Sequence, residues 1–184
     1  MIIVLLGASG SGKSTLESIL SDKYNLEKIV SYTTRQKRDY EVNNNDYVFT
    51  TYKTFNDMID DNLFAEYDEY SKQRLYGTLK TDYASGNKVV VLTPNGLRQL
   101  KRNLPNHNIY SVLVEAGLGT RIKRYIDRCG ESFNYEDKNE IASRVDRDWS
   151  MFLGVNREVD MVVYNEDGCD LEEIARRIIS NATR

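Results

Sequence analysis

Lys13 and Ser14 close the stretch GASGSGKS, residues 7–14, which directly follows the apolar run IIVLL. The spacing is G-x-x-x-x-G-K-[ST], and its chemistry is the cradling of phosphate. Glycine lets the backbone take positive φ and approach an anion, successive N–H groups point into the hollow, and a helix starting near Lys13 adds partial positive charge. Gly7, Ser9, Gly10, Ser11, Gly12, Lys13, Ser14 and Thr15 are the expected cradle for ATP. The Lys13 ammonium would reach the β- and γ-phosphates, and the Ser14 hydroxyl would take one site on Mg²⁺. An ordinary Gly/Ser turn is the alternative. Against it stand a buried-strand run before the stretch (2–6) and Leu16, Ile19 and Leu20 at helical spacing after it.

A second group of charges lies in SYTTRQKRDYEVNNNDY, residues 31–47. Arg35 and Arg38 could each grip phosphate oxygens bidentately, although two arginines in a loop are also an ordinary solvated surface. Glu66, in the acid-rich EYDEY, reads equally as a surface acid. Further on, Arg121, Arg124 and Arg128 recur at helical intervals, and Arg144 and Arg147 repeat the three-residue step. For Arg121 and Arg147 the expectation is pairing with Asp or Glu on exposed helices.

These groups need a frame. Continuous β-rich runs at 2–6, 28–31, 89–92, 110–115 and 161–164 suit strands buried on both faces of a parallel sheet. Helical patterns fill the gaps at 13–21, 79–85 with Gly86 as C-cap, 95–102, 120–128, 135–152 and 171–179. The expected fold is α/β, a doubly wound parallel sheet of about five strands, with ligands at the carboxyl ends of its strands. Residues 32–78 break the rhythm with DYVFT, TFNDMIDD, LFAEYDEY and many tyrosines, and read as an inserted lobe; the core is then 1–31 and 79–184, with a helical lid at about 120–150.

Composition narrows the classes. With 184 residues, 40 % hydrophobic and 29 % charged, the chain suits one compact domain. A net charge of −3 argues against a nucleic-acid surface. No apolar run reaches the roughly 18 residues of a membrane helix, and the start lacks the basic region of a secretion signal. Cys129 and Cys169 form no C-x-x-C pair, which favours free thiols in a reducing cytoplasm. His107, in NLPNHN, is expected to be exposed. Composition leaves monomer and homodimer both open.

The ordered pattern S-x-T-T-R-x-x-R-x-x-E-V-x-x-x-D-Y, then F-x-E, then Y-G-T, resembles the acceptor lobe of guanylate kinases, and with the phosphate loop and the later arginines the resemblance spans nearly the whole chain. It implies a nucleoside monophosphate kinase moving the γ-phosphoryl group of ATP to GMP or dGMP. Arg35, Arg38, Tyr47 and Tyr76 would hold the acceptor phosphate, with Glu41 orienting the arginines. Glu66 would face the guanine N1–H and N2–H edge, with Ser31, Gly77 and Thr78 around the base. The lid arginines match at Arg124, Arg128 and Arg144, and Asn165 matches an adenine-side asparagine. Two departures stand out. The family's Asp-x-Asp segment after VVVL is TPNG here, with Thr93 and Asn95 in place of the acids, and the stretch between Glu66 and Tyr76 is one residue longer, with Lys72 and Arg74 in it. Asn95 could still bond a base or ribose. A kinase of the same fold with another acceptor, or a non-catalytic binding module, are the alternatives. A GTPase switch is disfavoured, since no convincing N-K-x-D or D-x-x-G stands at a strand end.

Overall fold

A computed structural model of the chain describes residues 1–38, 41–71, 73–130 and 133–184. Lys72, and Glu131 and Ser132 of the lid segment, therefore lie outside the described residues.

Five parallel strands form the first sheet: β1 (Ile2–Leu6), β2 (Glu27–Lys28), β7 (Lys88–Val91), β8 (Ile109–Glu115) and β9 (Met161–Tyr164), in the order β2-β7-β1-β8-β9. All five residues of β1 are buried. Ile3 and Leu5 join one apolar layer, with Leu16 and Leu20 of α1 (Lys13–Tyr24) and Ile174 and Ile178 of α6 (Leu171–Ala182). Ile2, Val4 and Leu6 join the other, with Leu97 and Leu100 of α3 (Pro94–Asn103). A strand covered on both faces has no polar side to alternate with, which is why its sequence is a continuous apolar run.

A second sheet, β4-β3-β6-β5, is built from β3 (Tyr32–Thr33), β4 (Val48–Phe49), β5 (Phe64–Ser71) and β6 (Arg74–Leu79). Its own small core stacks Phe55 of α2 (Tyr52–Asp60) on Phe64, ring centroids 4.4 Å apart, with Leu75 beside them. β5 is an edge strand, and α3 of the core covers part of that edge with side chains. The Gln99 amide donates to Tyr67 O at 2.6 Å, and the Asn103 amide to Ala65 O at 2.8 Å. Exposed edge groups are thereby satisfied, and the second sheet is pinned to the second half of α3.

Two expectations are corrected. The run 28–31 is not a core strand throughout: pairing with β7 covers Glu27 and Lys28, Ile29 N–H still reaches Val89 O, and the chain then crosses to the second sheet, where Ser31 O accepts from Val48. Residues 79–85 do not form an α-helix. Leu79 pairs with Phe64 in β6–β5, the Asp82 carboxylate takes the Leu79 N–H at 2.8 Å, and a short 3₁₀ turn, Lys80–Tyr83, ends before Gly86 at φ +78°. α4 (Leu118–Cys129) and α5 (Tyr135–Phe152) carry the later arginines. α5 starts where its cap dictates: Asn134 Oδ1 accepts from Glu136 and Asp137, and Asp137 answers to the Asn134 N–H.

Candidate active site

Where β1 ends, the chain turns through Gly7–Gly12 into α1. Gly12 sits at φ +94° as the α1 N-cap, and a Cβ there would strike the Asn165 amide; no other residue suits that position. Asn165, just after β9, is buried, and its amide donates to Ser11 O at 2.8 Å, so it braces the loop from two strands away in the sheet. The Lys13 ammonium folds back onto Gly7 O (2.7 Å) and Ala8 O (2.9 Å). Burial lowers its pKa to about 8; Asp148 opposes the shift, and Arg121 and Arg128 add to it.

A cleft of about 810 Å³ runs from this loop to the second sheet. Its donor wall includes Gly7, Ser9, Gly10, Gly12, Lys13, Ser14 and Thr15. Ser11 is fully buried behind that wall with its hydroxyl unpartnered. Arg124 and Arg144 reach over the loop: Arg124 donates to Gly10 O at 3.3 Å, and Arg144 to Ser9 Oγ at 3.0 Å and Glu140 at 2.9 Å. Arg128 stands exposed at the rim. Arg121 is not among the residues lining the cleft and pairs with Asp148 at 3.2 Å, while Arg147 lies over the Tyr70 ring at 4.5 Å.

The opposite wall carries Ser31, Arg35, Arg38, Glu41, Tyr47, Glu66 and Tyr76. Glu41 organises it, taking Arg35 Nη2 at 2.6 Å, Arg35 Nη1 at 3.0 Å and the Arg38 N–H at 2.8 Å, with the Arg38 guanidinium at 3.5 Å. Burial works against ionising Glu41, but these donors outweigh it and hold the carboxyl below its ordinary range. Arg35 lies 5.3 Å from the Tyr47 ring centre, and Tyr47 meets Tyr76 edge to face at 5.7 Å. Burial pushes the Tyr47 phenol up to about 12, so it stays a hydrogen-bond donor.

Glu66 is 4 % exposed and sits opposite Thr78 on the β5–β6 ladder, accepting its hydroxyl proton at 2.8 Å. Burial raises its pKa to about 8; the Thr78 hydrogen bond opposes that, and the nearby Asp68 charge adds to it. Thr78 is itself fully buried, bonded also to the Tyr83 hydroxyl at 2.7 Å, so it orients Glu66 from behind rather than lining the cleft. Gly77 is likewise set back: a Cβ there would meet Glu66 O and the Phe64 ring. Asn95 does not line the cleft, because its amide is held by Asp68 at 3.0 Å.

Four contributors escaped the sequence reading. Gly96 leaves room for the Glu66 carboxylate, since a Cβ would come within 2.5 Å of Oε2. Asp68 and Asp148 line the cleft as acceptors. Glu17 of α1, buried and 3.4 Å from Lys28, is pushed up to about 7 by burial, against the pull of Lys28. For Glu17 the only signal available was its place three residues before Leu20 on the same helix.

No helix among the described residues is long and apolar enough to cross a membrane, and neither Cys129 nor Cys169 is in a disulfide. The guanylate kinase family model matches residues 1–180. A guanylate kinase of Rubrobacter xylanophilus is 33 % identical over 191 aligned positions, covering 97 % of this chain and 95 % of that protein. One from Lactobacillus delbrueckii subsp. bulgaricus is 36 % identical, over 72 % of this chain and 67 % of that protein. A crystal structure of guanylate kinase from Anaplasma phagocytophilum superposes with a TM-score of 0.73 at 21 % identity, over all of this chain and 84 % of that one, so the fold is shared. With a phosphate loop at one end of the cleft and an arginine-tyrosine wall at the other, the chain belongs to the guanylate kinase family.

Proposed function

We propose that the chain is a nucleoside monophosphate kinase that transfers the γ-phosphoryl group of ATP to GMP or dGMP, giving ADP and GDP or dGDP. The observation that carries the reading is the single cleft in which the phosphate loop faces the Glu41-held arginines and a buried Glu66.

Phosphoryl transfer asks for two nucleotides in line and cations around the moving group. The loop amides and Lys13 hold the donor phosphates; Lys13 exchanges its contacts to Gly7 O and Ala8 O for anionic oxygens, which raise its pKa again. Arg35, Arg38, Tyr47 and Tyr76 hold the acceptor phosphate, and Arg124, Arg128 and Arg144 supply positive charge from the lid side. Ser14 stands exposed on the first turn of α1 within the cleft. Among the described residues no cluster of three or more His, Cys, Asp or Glu could hold a metal, which fits Mg²⁺ bound by one hydroxyl plus phosphate oxygens. Bound there, Mg²⁺ would neutralise charge on the β- and γ-phosphates. Glu66 accepts guanine N1–H and N2–H as a pair, and rejects adenine, which has no N1 donor. Ser31 lines the same wall and would add a hydrogen bond to the base. Two cysteines outside any disulfide fit a cytoplasmic setting.

A coupled ADP-release assay across the ribo- and deoxynucleoside monophosphates tests this. Turnover with GMP or dGMP and little with AMP is expected; no turnover with either guanine nucleotide overturns the activity, and equal turnover with AMP overturns the role of Glu66.

A further inference from the structure

Asp68 stands two residues from Glu66 on β5, and alternation along a strand puts both carboxylates on the cleft side while Tyr67 between them is exposed. The ladder pairs Glu66 with Thr78 and Asp68 with Tyr76, so Asp68 lies between the base-reading acid and the phosphate wall. Its carboxylate is held by both side chains of the TPNG turn: Thr93 Oγ1 donates to Oδ2 at 2.5 Å and Asn95 Nδ2 to Oδ1 at 3.0 Å. Thr93 is fixed in turn, since it caps α3 by accepting from Gly96 N–H at 3.0 Å. The turn thus supplies no acid of its own but orients one from the opposite wall.

Guanine presents three N–H vectors along one edge: N1–H and two from the 2-amino group. One carboxylate accepts N1–H and one N2–H as a pair, which leaves the second N2–H in need of another acceptor. A carboxylate has about four lone-pair sites, and Thr93 and Asn95 occupy two of those on Asp68. We propose that Asp68 is a specificity-determining residue that accepts the second N–H of the guanine 2-amino group, its carboxylate aimed by Thr93 and Asn95. This rests on the guanine reading of the acceptor site.

The test compares GMP, dGMP and IMP with wild type, Asp68→Ala, Asp68→Asn and Asn95→Ala. IMP lacks the 2-amino group and keeps N1–H. KM is measured with saturating ATP, and direct nucleotide titration gives affinity without turnover. Both are run at pH 7.5, where the N1–H of GMP and of IMP is intact; loss of the Asp68 charge eases ionisation of Glu66, so that titration would favour GMP and IMP alike and cannot mimic a loss confined to GMP. Asp68→Ala and Asp68→Asn are expected to weaken GMP and dGMP equally, by about tenfold or more, leave IMP and ATP within about twofold, and so erase the preference for GMP over IMP. Asn95→Ala should give a smaller loss with the same selectivity. Equal losses on GMP and IMP, or none, would overturn the proposal. So would a loss on GMP that spares dGMP, which would place Asp68 on the ribose 2′-hydroxyl. Should wild type fail to phosphorylate GMP, the kinase reading falls, and the GMP/IMP titrations still judge Asp68. Thermal unfolding of each variant separates misfolding from lost contact.

Discussion

The Thr78 hydroxyl donates to Glu66 Oε1 across the β5–β6 ladder, 2.8 Å apart, and both residues are buried. That geometry aims a carboxyl into the cleft at the expense of its charge, since burial lifts its pKa to about 8 from an ordinary value near 4.5.

The folded state binds the Glu66 proton more tightly than the unfolded chain, so this contribution is full below about pH 4.5 and is lost as pH rises through about 8. Glu66→Gln keeps the shape without the ionisation. It should raise Tm at pH 8 and above, flatten the pH dependence of stability from 4.5 to 8, and weaken GMP far more than ATP. Thermal scans against pH check it; an unchanged pH profile would show that Glu66 ionises freely in the fold.

Binding has the opposite sense. Guanine N–H donors need the carboxylate, so GMP affinity should climb as pH rises toward 8 and level off above, with proton release on binding at pH 7. Titration calorimetry of GMP in buffers of different ionisation enthalpy reads that proton directly, and a flat affinity between pH 6 and 9 would refute it.

Lys13→Ala should abolish transfer while sparing GMP affinity, because Lys13 belongs to the loop wall and Glu66 to the other. Glu41→Gln should act conversely. Without the charge that gathers Arg35 and Arg38, KM for GMP should rise about tenfold, with ATP affinity kept. Isothermal titrations with each nucleotide would settle both, and reversed defects would show that the two walls have been wrongly assigned.

What the sequence disclosed and what it hid divide along one line. The phosphate loop was legible because its neighbours in sequence make it: glycine φ, strand before, helix after. The helix at 135–152 was legible because its cap, Asn134 with Asp137, is local. Asp68 was not, since EYDEY acquires its meaning from Thr93 and Asn95, 25 and 27 residues away. Gly96 gained its role only from the Glu66 oxygen beside it. Strand 28–31 failed for the same kind of reason: its apolar pattern continues, but the chain leaves the sheet after Ile29.

Asp148 of α5 is 3 % exposed and accepts from three places at once: the Ser9 N–H of the phosphate loop at 2.8 Å, Arg121 of α4 at 3.2 Å and the Tyr70 hydroxyl of β5 at 3.3 Å. One carboxylate therefore ties the donor loop to the acceptor sheet and both arginine-bearing helices. Asp148→Ala strands the Arg121 guanidinium, 16 % exposed, and should destabilise the fold by about 3 kcal/mol. Pairing it with Arg121→Met removes the stranded charge and should restore much of Tm, yet the loop stays untied from the sheet. The double variant should thus fold well and still show raised KM for both ATP and GMP. Urea unfolding with steady-state kinetics on the three proteins separates the two roles; recovery of both KM values along with Tm would show that Asp148 is a structural brace alone.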